Sequence, residues 1–172
     1  MRADDDAAAP ARSGFTLLEI LVAIAIVAIL ASLAVPSFIE QSIRGQVAEG
    51  IGVAKFVQDA VQTAYLAAHA MPADNAAAGV PPATSIVGRT VSGVTVKDGA
   101  ITITYGNLAS RSLAGRRLSL RPAVVDGYPQ VLISWVCGTA PVPDKMSVHE
   151  PDRTDLPPGW LPVSCRGSGK AH

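Results

Sequence analysis

Sixteen consecutive residues, Ile20 to Val35 (ILVAIAIVAILASLAV), hold Ser32 as their one polar side chain. Between Arg12 and Glu40 the only charge is Glu19. At about 1.5 Å of rise per residue, a helix over Phe15 to Val35 spans the roughly 30 Å hydrocarbon core of a bilayer. A helix that is apolar on every side is buried in lipid or among other helices. Glu19 sits near the start of this segment. A charge at that depth costs several kcal/mol unless a partner neutralises it, and the segment itself supplies none.

The pattern changes character after Pro36. Ile43, Val47, Ile51, Ala54, Val57, Val61 and Tyr65 recur at spacings of three and four, which line one face of an α-helix. Gln46, Glu49, Lys55, Asp59 and Gln62 fall on the flanks and far side, with Gln58 at the edge of the stripe. One long helix is therefore predicted from Phe15 to about Ala70, apolar in its first half and amphipathic in its second. Pro36 removes a backbone hydrogen bond, so a kink or local melting is expected there. Gly45, Gly50 and Gly52 weaken the middle further.

Met71 to Thr84 contains three prolines and a glycine and reads as a loop. Short strand-like runs follow at Val91 to Lys97, Ala100 to Tyr105, Arg117 to Leu120 and Gln130 to Val136. Asp98-Gly99 between the first two is a hairpin signal, since a type I′ turn needs positive φ at both central positions. Pro141 to Pro162 holds six prolines, too many for regular structure. The order of helix, loop, antiparallel sheet and proline-rich tail predicts an α+β fold. In it the Ile43–Tyr65 face packs on a four-stranded sheet and the apolar half-helix protrudes.

Ser13-Gly14-Phe15-Thr16-Leu17-Leu18-Glu19, followed at once by the apolar run, resembles the N-terminus of the type IV pilins and the pseudopilins of type II secretion. The resemblance implies a leader at 1–14, removed by a prepilin peptidase between Gly14 and Phe15, with N-methylation of Phe15. It implies that Glu19 pairs with the Phe15 amine of a neighbouring subunit during assembly. Pro36 matches the proline that interrupts the helix in many members. The chain then divides into a hydrophobic transmembrane or filament-core helix at 15–36, an amphipathic helix at 37–70 and a β-sheet head at 71–172. The leader, with Asp4-Asp5-Asp6, is longer and more acidic than usual.

Gly115 to Pro122, Ile133 to Gly138 and Leu161 to Arg166 look like the tail of a major type IV pilin, with Lys145 to Asp155 as an apparent insertion. In that family paired cysteines bound a D-region, here 137–165. Cys137 and Cys165 form one disulfide if the head lies outside the cytoplasm, and two buried thiols if it does not. Their separation of 28 positions and the absence of a CxxC spacing give no zinc site.

The chain has 14 Lys and Arg against 14 Asp and Glu, and removing the leader leaves a net charge of +1. Nucleic acid therefore has no global electrostatic support as a partner. Arg116 to Arg121 is the densest basic stretch and reads as the solvated face of a strand. His149-Glu150 with Asp152 and Asp155 is the one metal-like cluster, and it reads as solvated surface. No nucleophile, P-loop or metalloprotease motif occurs, so neither catalysis nor a cofactor is expected. Trp135 and Trp160 are expected to be packing residues.

The resemblance implies a structural subunit of a type IV pilus, whose roles include attachment, twitching motility and DNA uptake. Its partners would be identical subunits, the peptidase, the inner-membrane assembly machinery and the membrane itself. As a prepilin it would sit in the inner membrane of a Gram-negative bacterium with a periplasmic head, and later in an extracellular pilus. The alternatives are a minor pilin, a secretion pseudopilin, and a membrane-tethered periplasmic binding module.

Overall fold

A computed structural model describes residues 14–167, so the leader before Gly14 and the tail after Gly167 lie outside the described residues. The chain falls into two compact units, one ending at Phe38 and the other beginning at Ile39. Helix α1 runs from Leu17 to Ala68. It is helical without a break through position 36, whereas the Pro36 side chain, and with it the expected kink, lies outside the described residues. His69, at φ 54°, ends the helix in the left-handed region, its N–H bonded to the Tyr65 carbonyl at 2.8 Å.

In the first unit the expected apolar rod is present. Eleven large apolar side chains from Phe15 to Leu30 are between 49% and 82% exposed. Among the described residues no helix is long and apolar enough to cross a membrane. The described side chains of this stretch stop at Ser32, whereas the apolar sequence continues to Val35.

The second unit is built on the amphipathic half of α1. Ile43, Val47, Ala54, Val57, Val61 and Tyr65 are all buried, as their spacing predicts. They face a meander of four antiparallel strands in the order β1-β2-β3-β4: Val91–Lys97, Ala100–Tyr105, Arg117–Ala123 and Ser134–Cys137. Ile101 lies opposite Leu120 and Ile103 opposite Leu118, and all four are buried. Asp98 at φ 48° and Gly99 at φ 81° make the predicted hairpin turn.

Two strand boundaries differ from expectation. β3 continues through Pro122 to Ala123. Bonding groups alternate sides along an antiparallel strand, and those of residue 122 face the side where β2 has already ended. The missing N–H of Pro122 therefore forfeits no ladder bond. β4 begins at Ser134 rather than Gln130, because Tyr128 and Val131 donate to the carbonyls of Val125 and Tyr128 and hold that stretch in turns.

Gly50 is the element the sequence pattern misjudges. It is buried, and a β-carbon there would lie 2.6 Å from the Tyr105 ring. Tyr105 enters this notch and donates its hydroxyl to the Val47 carbonyl at 3.0 Å. Burial pushes the Tyr105 phenol well above its ordinary pKa. Gly50 is thus the fitted partner of the largest fully buried side chain. Gly50→Ala gains about 1 kcal/mol of helix propensity but overpacks the core by about 1–3 kcal/mol. Gly52, exposed and with open space around it, gains the propensity alone. Chemical denaturation should find Gly50→Ala destabilised and Gly52→Ala stabilised; the reverse order would contradict the notch.

The segment after α1 is more than a connecting loop. Asn75 donates from Nδ2 to the Val94 carbonyl at 3.0 Å and accepts from the Val96 N–H at 2.7 Å. Asp98 and Gly99 donate to the carbonyls of Ala73 and Pro72. One amide side chain and two main-chain bonds thus occupy the outer edge of β1. β4, the other edge strand, is four residues long.

Candidate functional site

Thr16 precedes the first turn of α1, and Glu19 N–H donates to its Oγ1 at 3.2 Å. Ile20 N–H bonds the Thr16 carbonyl at 3.3 Å. Thr16-Leu17-Leu18-Glu19 has the spacing of a capping box, an N-terminal signal that the sequence reading passed over. The cap satisfies a main-chain donor at the helix start and leaves the Glu19 carboxylate with no bond among the described residues. Phe15, four residues earlier, is 75% exposed. Gly14, Phe15 and Glu19 therefore lie together, uncovered, at one end of the apolar rod. An unpaired carboxylate beside an apolar surface can attract a cation, and the apolar surface can bury itself only against something outside the described fold.

At the other end of the chain, Cys137 and Cys165 form the disulfide. Cys165 is buried, and its carbonyl accepts from the Thr139 N–H at 3.2 Å. The segment it closes does not behave as a surface loop. Leu156 and Leu161 are buried in the core, and the Gly159 carbonyl accepts from Arg44 on α1 at 2.6 Å and from Arg166 at 3.3 Å.

The apparent insertion has a defined path. Ser147 exchanges both main-chain bonds with Val124, whose bonding groups face the β2 side of β3. Eight residues later Asp155 takes the Arg117 N–H at 2.6 Å and gives its own N–H to the Arg117 carbonyl, on the β4 side. Thr154 Oγ1 accepts from the Ser119 N–H at 3.0 Å on that same side. Seven residue steps of β3 measure about 24 Å, close to the full reach of eight residues. Residues 147–155 therefore cross the outer face of β3 nearly extended as a strap, and Ser119, whose N–H they bond, is 1% exposed. Pro151 favours that extended backbone.

The strap also settles where the basic stretch goes. Arg117 pairs with Asp155 at 3.1 Å, Arg121 donates to the Gly138 carbonyl, and Arg116 lies 6.0 Å from the Trp160 ring centre while bonding the Asp155 carbonyl. These arginines hold the C-terminal segment in place, where a solvated strand face was expected. Trp135 and Trp160 pack against the core as predicted. The metal-like cluster disperses: His149 turns to Asp126 and Asp155 to Arg117, and among the described residues no three potential ligands converge on a metal site.

Asp126 anchors the strap's first end. Its Oδ2 accepts from the Ser147 hydroxyl at 2.6 Å and its Oδ1 lies 3.1 Å from His149 Nε2. The Ser147 bond first, then that of His149, holds the Asp126 carboxyl below its ordinary pKa. A lowered carboxylate pKa stabilises the fold above the unfolded value of about 3.9, and that support disappears as pH falls through the lowered value. Amide exchange around Ser147 is expected to quicken below about pH 4, before that of the β1–β2 hairpin. Equal acceleration at both places would remove Asp126 as the anchor.

Comparison with known proteins adds two family matches. Residues 43–166 match the family described as pilin, bacterial filament, and residues 10–35 match the prokaryotic N-terminal methylation motif. A fimbrial protein of Neisseria meningitidis is 34% identical over 170 residues, covering 93% of this chain and 97% of the relative. The type IV major pilin protein PilE of Neisseria gonorrhoeae is 38% identical over 128 residues, 74% of each chain. Fimbrial protein EcpC of Eikenella corrodens is 34% identical over 162 residues, 91% of this chain and 92% of the relative.

Proposed function

Because this chain belongs to the bacterial pilin family, we propose that it is the structural subunit that polymerises into a type IV pilus on the cell surface. The observation that carries the reading is the exposed apolar rod of α1 with one unpaired carboxylate near its start. Fully burying each Leu, Ile or Val stabilises by about 1.5–3 kcal/mol, so a bundle of such helices supplies the main adhesive force of a filament. Head-to-tail contacts that do not close generate a helical polymer. The role is structural, not catalytic. Similarity to proteins described as major pilins favours the shaft subunit over a minor pilin or pseudopilin.

Before assembly, the Phe15–Val35 segment anchors the subunit in the inner membrane, with its head in the periplasm. A prepilin peptidase cuts between Gly14 and Phe15 and methylates the new amine. That cationic amine pairs with Glu19 of a neighbouring subunit, which sets the register as the assembly machinery draws the subunit into the fibre. Burying either charge without the other would cost about 3–5 kcal/mol.

Mass spectrometry of filaments sheared from cells tests the reading. The subunit is expected to begin at N-methylated Phe15 and to carry Cys137–Cys165 oxidised. Sheared filaments without this chain, or a chain that retains Met1, would overturn it.

A further inference from the structure

We propose that the groove between the end of α1 and the turn after β3 is a binding site for a primary ammonium carried on a short aliphatic stem. The groove encloses about 370 Å³ and is assembled from three separate stretches of chain. Tyr65 comes from the last turn of α1, His69 and Met71 from the residues that follow it, Asp126 and Pro129 from the turn after β3, and His149 from the strap.

Charge selects the ligand. Asp126 is the only carboxylate among the lining residues, and no Lys or Arg lines the groove. A carboxylate offers about four acceptor positions, and Ser147 and His149 occupy one on each oxygen. The remainder are open to a ligand, because the Asp126 side chain is 61% exposed. The same two bonds hold the Asp126 carboxyl below its ordinary pKa. Among the described residues no third metal-ligating side chain converges there, which favours an organic cation over a metal ion. Met71, Ala70, Val125 and Pro129 supply apolar wall for the methylenes of the stem.

Besides Asp126, the titratable groups facing the site are Tyr65 and His69 from the end of α1 and His149 from the strap. With both imidazoles neutral the groove carries one negative charge, and a fixed cation placed beside Asp126 would cancel it.

The test is an NMR titration of the full-length subunit in detergent micelles with three probes: Nα-acetyl-lysine amide, 1,4-diaminobutane and the uncharged Nα-acetyl-norleucine amide. Saturable shifts at Asp126, Gly127 and His149 are expected with an amine at about pH 7.5, weaker by about tenfold in Asp126→Asn. A response to the lysine derivative alone identifies a polypeptide side chain as the source, and a response to the diamine alone identifies a free amine. Because Asp126→Asn also loosens the strap, His69→Lys gives an independent reading. It leaves the Ser147 and His149 bonds to Asp126 in place but puts a cation into the groove, so amine binding should fall about tenfold. No saturable shift with either amine, equal binding of the norleucine derivative, or amine binding unmoved by His69→Lys would overturn the proposal.

Discussion

Cells carrying Glu19→Gln should lose surface filaments more than about tenfold while their membranes still contain a folded, oxidised subunit. The substitution keeps the shape and the Thr16 cap, because the capped group is the main-chain N–H of residue 19. It removes only the charge. The Phe15 amine of a neighbour would then enter an apolar bundle unpaired, and the penalty of about 3–5 kcal/mol exceeds a factor of a hundred in the assembly equilibrium. The measurement is an immunoblot of the sheared fraction against the membrane fraction, with electron microscopy of the cells. Filaments at parental density would show that apolar burial alone sets register, and the amine–carboxylate pairing would have to be given up.

Replacing both Cys137 and Cys165 by serine should lower the stability of the head by about 3–4 kcal/mol, since the bridge closes a loop with a sequence separation of 28. For a unit of this size that is a fall of roughly 10 °C in Tm. The loss should be uneven. Residues 147–155 and the Gly159 clamp on Arg44 depend on the closed segment, whereas the β1–β2 hairpin is held by its own ladder of main-chain pairs. Hydrogen exchange should therefore show the strap amides unprotected first, with Ser119 N–H exposed along with them. Uniform loss across the sheet would mean that the strap is an integral part of the core.

The features readable from sequence are those whose cause is local. The stripe from Ile43 to Tyr65 follows the helical period, and the hairpin at Asp98-Gly99 follows from two residues that tolerate positive φ. Glu19 stood out because nothing else charged lies within reach along the chain. What sequence hid depends on partners far away. Gly50 looked like a weak point because its reason, the Tyr105 ring, lies 55 positions downstream. The arginines at 116, 117 and 121 looked solvated because their acceptors belong to Asp155 and Gly138. The prolines of the C-terminal segment argued against regular structure, and the strap indeed has none. It is ordered instead by bonds to the two sides of β3.

The covered edge of β1 determines what kind of fibre this molecule can make. A chain selected to polymerise, with a β-rich head at high local concentration, runs the hazard of cross-β stacking, in which open strand edges template one another through the main chain. Asn75 occupies the edge groups of β1 at Val94 and Val96, and β4 is too short to offer a long template. Polymerisation is left to side chains on a helix whose own backbone bonds are already internal. Such a fibre should lack an inter-subunit reflection near about 4.7 Å and should dissolve in mild detergent to folded, reusable subunits. An amyloid built from the same chain would do neither.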